Sequence, residues 1–243
     1  MKHTKPVAFL SSAIVGALLF ATACSNGDTA TPDDANGNGD TEGAGGIGDH
    51  MQTWQEEEVC EALDPEGFME ELNGAEITEG PTYGPENSGT FMDSKSCNTM
   101  FEVEYDDESS SGRVYLHVAP VTTSDLAADL YSERIGFAEE AAAEPDWVPV
   151  ADDSIEGPWE DARVIAGSDI NDQLYAFFRE ENYMVEVELS WNTDWGVRNE
   201  ILTGGDDVFS STYLDFNLPE MTDWISETYL PEVHSSIHDE VNG

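Results

Sequence analysis

Two histidines four residues apart, His234 and His238, and three cysteines, Cys24, Cys60 and Cys97, are the side chains of this 243-residue chain best suited to chemistry. On a helix, a spacing of four puts both imidazoles on one face. That geometry suits zinc or copper, and Glu232 or Asp239 stands close enough in sequence to be a third ligand. The simpler reading is electrostatic: imidazoles near a helix C-terminus complement its dipole. With 52 Asp and Glu in the chain, a neighbouring carboxylate is expected from composition alone, so no metal and no cofactor is assigned. Of the other histidines beyond the first 23 residues, His50 lies in a polar, glycine-rich segment, and His117 alternates with an apolar strand face and is expected to meet solvent or a helix-free groove. Neither has a nucleophile partner in view, which a catalytic base requires. No G-x-S-x-G elbow, H-E-x-x-H pair, Walker loop or dinucleotide fingerprint occurs, and no catalytic residue is assigned.

The first cysteine reads differently from the other two. Lys2 and Lys5 make a positive start, Val7–Phe20 is apolar but short for a membrane span, and the small residues Ala21-Thr22-Ala23 lead into Cys24. The layout resembles a bacterial lipoprotein signal peptide with a lipobox. Residues 1–23 are then removed and Cys24 is acylated, anchoring the chain in the cell membrane on its extracytoplasmic face. An ordinary secretory signal cut after Ala23 is the alternative. Residues 24–50 are rich in Gly, Asp, Asn, Thr and Ala and are read as a disordered acidic tether. Asp34–Asp40 within them matches the opening of an EF-hand loop, but Gly45 stands where that loop needs Glu. With Cys24 acylated, Cys60 and Cys97 remain, and export makes a disulfide between them the expectation. Glu56, Glu57 and Glu58 ahead of Cys60 disfavour a thiolate there.

The elements that must position these side chains begin near Met51, and 51–243 is read as a single domain. A helix is expected within Gln55–Leu72, interrupted at Asp64-Pro65, followed by a short strand around Ile77 and a loop from Gly80 to Gly89. Cys97–Tyr105 and Arg113–Val118 alternate as the arms of a hairpin with one wet side. Thr122 or Thr123 caps a helix running to Glu144, with Leu126, Leu130, Phe137 and Ala141 as its apolar stripe. Strands follow at Trp147–Val150, Ala162–Ala166, Gln173–Arg179 and Tyr183–Trp191. A last helix opens at Pro219, turns Met221, Trp224, Ile225, Thr228, Val233 and Ile237 inward, and kinks at Pro231. The alternation along Tyr183–Trp191 is that of antiparallel sheet covered on one face, and the order helix, strands, helix, strands, helix predicts an α+β fold, an antiparallel β-sheet with helices packed on it.

Between the last strand and the last helix, Asn192–Asn217 lacks regular pattern but carries Trp191, Trp195, Phe209, Tyr213 and Phe216 in or beside it. These aromatics either pin the segment to the core or present a recognition surface to a glycan or an envelope protein. Taken in order, Cys24, Val59-Cys60-Glu61-Ala62-Leu63, Ser96-Cys97, Val148-Pro149-Val150, Glu160-Asp161-Ala162 and Tyr183–Leu189 resemble a group of actinobacterial envelope lipoproteins of unknown function. Those proteins combine a lipobox, a low-complexity tether and a two-cysteine α+β domain. The resemblance implies a membrane-tethered binding or assembly module and transfers no catalytic residue. A carrier of a small apolar ligand and a metal-dependent envelope hydrolase are the alternatives, and a monomer is expected.

Charge narrows the partners. Once Lys2 and Lys5 leave with the signal, six basic groups face 52 acidic ones, a formal charge of −46. Nucleic acid is excluded by repulsion, and so is charge-driven docking on an anionic membrane. The acids are spread over the whole chain, which fits a surface adapted to high salt better than one calcium site. At 1 M salt the Debye length falls to about 3 Å, and the repulsion among carboxylates is screened. The melting temperature is therefore expected to rise between low and molar salt; a thermal scan showing no change would refute the salt-adapted reading.

Overall fold

A computed structural model describes residues 46–72, 76–85, 94–105, 108–169, 171–192 and 216–242. Three short helices come first: α1 (Ile47–Met51), α2 (Glu56–Leu63) and α3 (Pro65–Glu71). Strands β1 (Glu76–Pro85), β2 (Lys95–Tyr105) and β3 (Glu108–Pro120) lead to helix α4 (Ser124–Ala142). Strands β4 (Val148–Ser154), β5 (Asp161–Ser168), β6 (Asn171–Glu180) and β7 (Tyr183–Asn192) follow. The chain ends in α5 (Leu218–Trp224), a π-helical turn (Ile225–Tyr229) and α6 (Leu230–Asn242).

The seven strands among the described residues form one sheet in the order β1-β2-β3-β7-β6-β5-β4, with every pairing antiparallel. Two meanders, β1–β3 and β4–β7, join where β3 pairs with β7 from Gly112↔Trp191 to Pro120↔Tyr183. The expected α+β architecture is present, with helices on both faces of the sheet instead of one. The period of two along the strands sorts the side chains. Val114, Leu116, Val118, Val164, Leu174, Ala176, Phe178, Val185, Val187 and Leu189 share one core with α1–α3, α5 and α6. Ala119 and Met184 form a second cluster with Leu130 and Tyr131, and Ile165 and Phe177 a third with Ala138 and Ile135. Both smaller clusters lie under α4.

The stripe of α4 is turned from the one expected. Thr123 caps it, accepting from the Leu126 N–H at 3.2 Å, but Leu126 and Phe137 are 48% and 46% exposed. Ala127 and Ala138 face the sheet instead, beside Tyr131, Ile135 and the expected Leu130. Small side chains let the helix approach closely, and that approach allows Arg134 to reach Glu186 on β7, bonding bidentately at 2.9 and 2.7 Å. Hydropathy counting gives the larger Leu and Phe more weight, so the alanine face is invisible to it. His117, on the same sheet face, is buried and does not meet solvent as expected.

Strand β1 is longer than expected, running through the predicted Gly80 loop. Its pairing with β2 shifts register between Ile77 and Glu79 and again between Glu79 and Thr82. Gly80, at φ 107°, supplies the left-handed residue that lets an edge strand absorb such irregularities. The expected tether also ends sooner: Ile47–Met51 is helical, Met51 is fully buried and Ile47 packs on the core. Lys95 fixes this entry, its Nζ donating to the Met51 and Gln52 carbonyls at 3.0 and 3.1 Å and also to that of Trp54. Burial lowers the pKa of that ammonium, against the opposing pull of Glu58.

Cys60 on α2 and Cys97 on β2 are joined by a disulfide with their Cα atoms 5.6 Å apart. The bridge ties the helical layer to the strand next to the sheet edge across 37 residues. Closing a loop of that length removes about 4 kcal/mol of unfolded-chain entropy in the loop-closure model. The Cys60→Ala/Cys97→Ala double variant is expected to lose stability of that order in urea denaturation; a loss under about 1 kcal/mol would show that the bridge adds little.

Candidate functional site

Strand β6 buries Leu174, Ala176 and Phe178 on its core face, and the same alternation carries Glu180, its last residue, to the rim of that face. The turn that follows is two residues long, with Glu181 left-handed at φ 46°. Asn182 holds it from two sides: its Oδ1 accepts from the Gly48 N–H at 2.8 Å and its Nδ2 donates to the Val121 carbonyl at 2.9 Å. Helix α1 passes so close that a Cβ on Gly48 would lie 2.2 Å from the Asn182 carbonyl oxygen, so only glycine fits. Glu180 thus stands on a corner with little freedom to move.

The C-terminal helix supplies the other half. Pro231 has no N–H and its ring excludes the normal carbonyl four residues earlier. The chain answers with the π-helical turn, in which the Leu230 N–H reaches back to Ile225 O. One extra residue advances the helix face, so Tyr229 enters the core where Thr228 was expected, and Thr228 is exposed. The Tyr229 hydroxyl donates to the Leu63 carbonyl on α2, and full burial raises its pKa well above the usual value. Beyond the turn, Leu230, Val233 and Ile237 anchor α6. The stripe beside them carries His234 and His238 over Glu180.

Both imidazole Nε2 atoms approach the same carboxylate oxygen, Glu180 Oε2, at 2.7 and 2.9 Å. The rings lie 4.3 Å apart, centroid to centroid. The Tyr183 hydroxyl donates to that same oxygen at 3.0 Å. Edge-to-face contacts from Trp159 and Phe178, at 6.0 and 5.8 Å, hold the His234 ring. His234 is 12% exposed, Glu180 17% and His238 31%, so the cluster opens to solvent on the His238 side. Burial would raise the Glu180 pKa, but hydrogen bonds from His238, Tyr183 and His234 together outweigh it and hold the carboxyl below the usual range. The Tyr183 pKa is raised in turn, by burial first and then by Glu180. Two imidazole nitrogens and one carboxylate oxygen within 4.8 Å of one another are donors of the kind that bind borderline divalent metals.

The third member of this set was missed by sequence reasoning, which looked along the helix to Glu232 and Asp239. Those carboxylates lie around α6 from the histidines, in a depression shared with Glu61 on α2. Glu180 is 54 residues from His234; the available signal was an apolar alternation on β6 ending in an acid. Among the aromatics, Trp191 and Phe216 meet edge-to-face at 5.3 Å and are buried in the core, outside any recognition surface. Trp195, Phe209, Tyr213 and Cys24 lie outside the described residues. The described arginines are all in ion pairs: Arg113 with Glu188, Arg134 with Glu186, Arg163 with Glu139 and Asp152, and Arg179 with Glu160 and Asp161.

Compared with protein-family models, curated proteins and solved structures, the chain has no match. The site is therefore read from its own geometry.

A carboxyl with a depressed pKa stabilises the fold when ionised, above its unfolded-state pKa, and that contribution is lost as pH falls through its folded value. In metal-free buffer, wild type is expected to exceed Glu180→Gln in stability at pH 6 and to lose this advantage progressively below about pH 4.3. A difference independent of pH in urea denaturation would contradict the assignment.

Proposed function

We propose that the protein is a lipid-anchored binding module on the extracytoplasmic face of the cell membrane, held there through Cys24 and carrying out no reaction of its own. One observation carries this reading. Two of the three cysteines are bridged between helix and sheet, so the one left for acylation is the one that ends the signal-like segment. A structural bridge of this kind belongs to an exported chain, and the residues ahead of Cys24 have the charge and apolar layout of an export signal.

The chemistry of the folded unit supports binding over catalysis. Among the described residues the thiols are consumed in the bridge, and the arginines that could receive an anionic substrate are engaged by carboxylates. The polar side chains that converge form a set of ligand donors on a fixed corner. That set also gives the metal-dependent hydrolase its one argument, since imidazoles and a carboxylate are shared by hydrolytic zinc sites. An apolar-ligand carrier has less support: a groove of 590 Å³ between β4 and α5 mixes Val150, Ile155 and Val164 with Asp153, Glu156, Asp223 and Glu227. Candidate partners are an envelope protein or a glycan, met by a monomer.

Growth with a clickable palmitate analogue is expected to label the wild-type protein in the membrane fraction and to leave Cys24→Ser unlabelled. A wild-type protein that takes up no label would overturn the anchoring.

A further inference from the structure

We propose that Glu180, His234 and His238 form a binding site for a late first-row divalent transition-metal ion, zinc in the first place. Both histidine Nε2 atoms and the Glu180 carboxylate would be its ligands, with the remaining position open on the solvent side. The site deepens the binding-module reading by naming the chemical class of a ligand.

The first argument is the crowding on one oxygen. Three groups converge on Glu180 Oε2: His234 Nε2 at 2.7 Å, His238 Nε2 at 2.9 Å and the Tyr183 hydroxyl at 3.0 Å. A carboxylate oxygen offers about two lone-pair sites, so three donors exceed what it can receive well. A metal ion resolves the crowding. Each imidazole then gives its Nε2 lone pair to the ion, the carboxylate coordinates the same ion, and the phenol keeps its hydrogen bond. With metal–ligand bonds of 2.0–2.2 Å, tetrahedral donors sit about 3.3 Å apart. The two nitrogen–oxygen spacings, 2.7 and 2.9 Å, widen by about 0.5 Å to reach that value.

The second argument is the support. Outer groups that orient ligands are a mark of metal sites. Here Tyr183 orients the carboxylate, and Trp159 and Phe178 hold His234. Asn182 and Gly48 fix the turn that carries Glu180, while Val233 and Ile237 root the helix that carries both histidines. The ligands thus come from two elements pinned independently to one core.

The third argument concerns the kind of ion. A formal net charge of −44 concentrates every cation near the surface, but carboxylates alone favour magnesium and calcium. Two imidazoles shift the preference to zinc, copper, nickel and cobalt. With His238 31% exposed, the ion has a way in and a face from which to bind an exchangeable group.

The test is calorimetric titration of zinc chloride into the full mature chain in detergent, stripped of metal. Sodium chloride at about 1 M suppresses diffuse attraction to the acidic surface. One equivalent is expected to bind and to resist millimolar magnesium. His238→Ala, at the exposed side of the cluster, should keep the native circular dichroism and weaken binding by more than about 100-fold. Tyr183→Phe, which removes only the orienting hydroxyl, should weaken it by about 10-fold. Cobalt added to the wild type should show the visible bands of a tetrahedral site, and these should be absent from the His234→Ala/His238→Ala double variant. Copper or nickel bound with the same dependence on the variants also supports the site. Three results overturn it: no uptake by a natively folded wild type, equal uptake by wild type and double variant, or displacement by magnesium. None of these touches the anchoring at Cys24, which the palmitate label tests separately.

Discussion

A carboxylate withdrawn from water needs a partner, and this chain has few to offer. Eight basic side chains face 52 acids in the chain, and the described ones are spent on structure. Arg134 reaches down from α4 to Glu186, which is 1% exposed in the middle of the sheet. Losing Arg134 would take a bidentate partner from a carboxylate in the interior, a cost of several kcal/mol. Arg163 and Arg179 tie strand ends to neighbouring acids, and Lys95 closes the end of α1. Glu180 receives no lysine or arginine among the described residues. Two imidazoles and a phenol fill the role, and this substitution turns a structural need into a set of ligand donors.

The same economy shapes how the sheet is covered. Strand β7 lies in the interior of the sheet between β3 and β6 and buries side chains on both faces, so helices are required above and below it. On the larger side, α1–α3 and α5–α6 share one core with the sheet. The other side is covered by α4, which packs through Ala127 and Ala138 with Leu130, Tyr131 and Ile135 beside them and brings an arginine over the strand. Helix α6 owes its phase to the π-helical turn before Pro231. Had the helix run through with regular spacing, Thr228 would face inward in place of Tyr229, and the link from Tyr229 to Leu63 would be lost. The rotation that seats Tyr229 also sets where the stripe of His234 and His238 points.

Under the proposed anchoring through Cys24, the domain cross-linked by Cys60 and Cys97 would present this corner to the medium outside the cell. There the histidines face a surface whose other charges are almost all negative. Nonspecific attraction raises the local concentration of any cation, while nitrogen donors select among them. Attraction and selection are thus divided between the surface as a whole and three side chains on it.

Much of this was readable along the chain. The period of two in β2, β3, β6 and β7, the Thr123 cap and the pairing of Cys60 with Cys97 follow from local pattern and cysteine number. So does the presence of two imidazoles on one helical face. Local pattern could not reveal the alanine face of α4, the passage of β1 through Gly80, or the turn that exchanges Thr228 for Tyr229. Each depends on what lies across from the element, and hydropathy along one segment carries no information about its neighbour. Glu180 is the sharpest case. By itself it is one acid among 52; the antiparallel hairpin and the docking of α6 bring it to two histidines more than 50 residues away. Residue types and spacing supplied the imidazoles, but only packing could choose which carboxylate they meet, because that choice rests on distances through space.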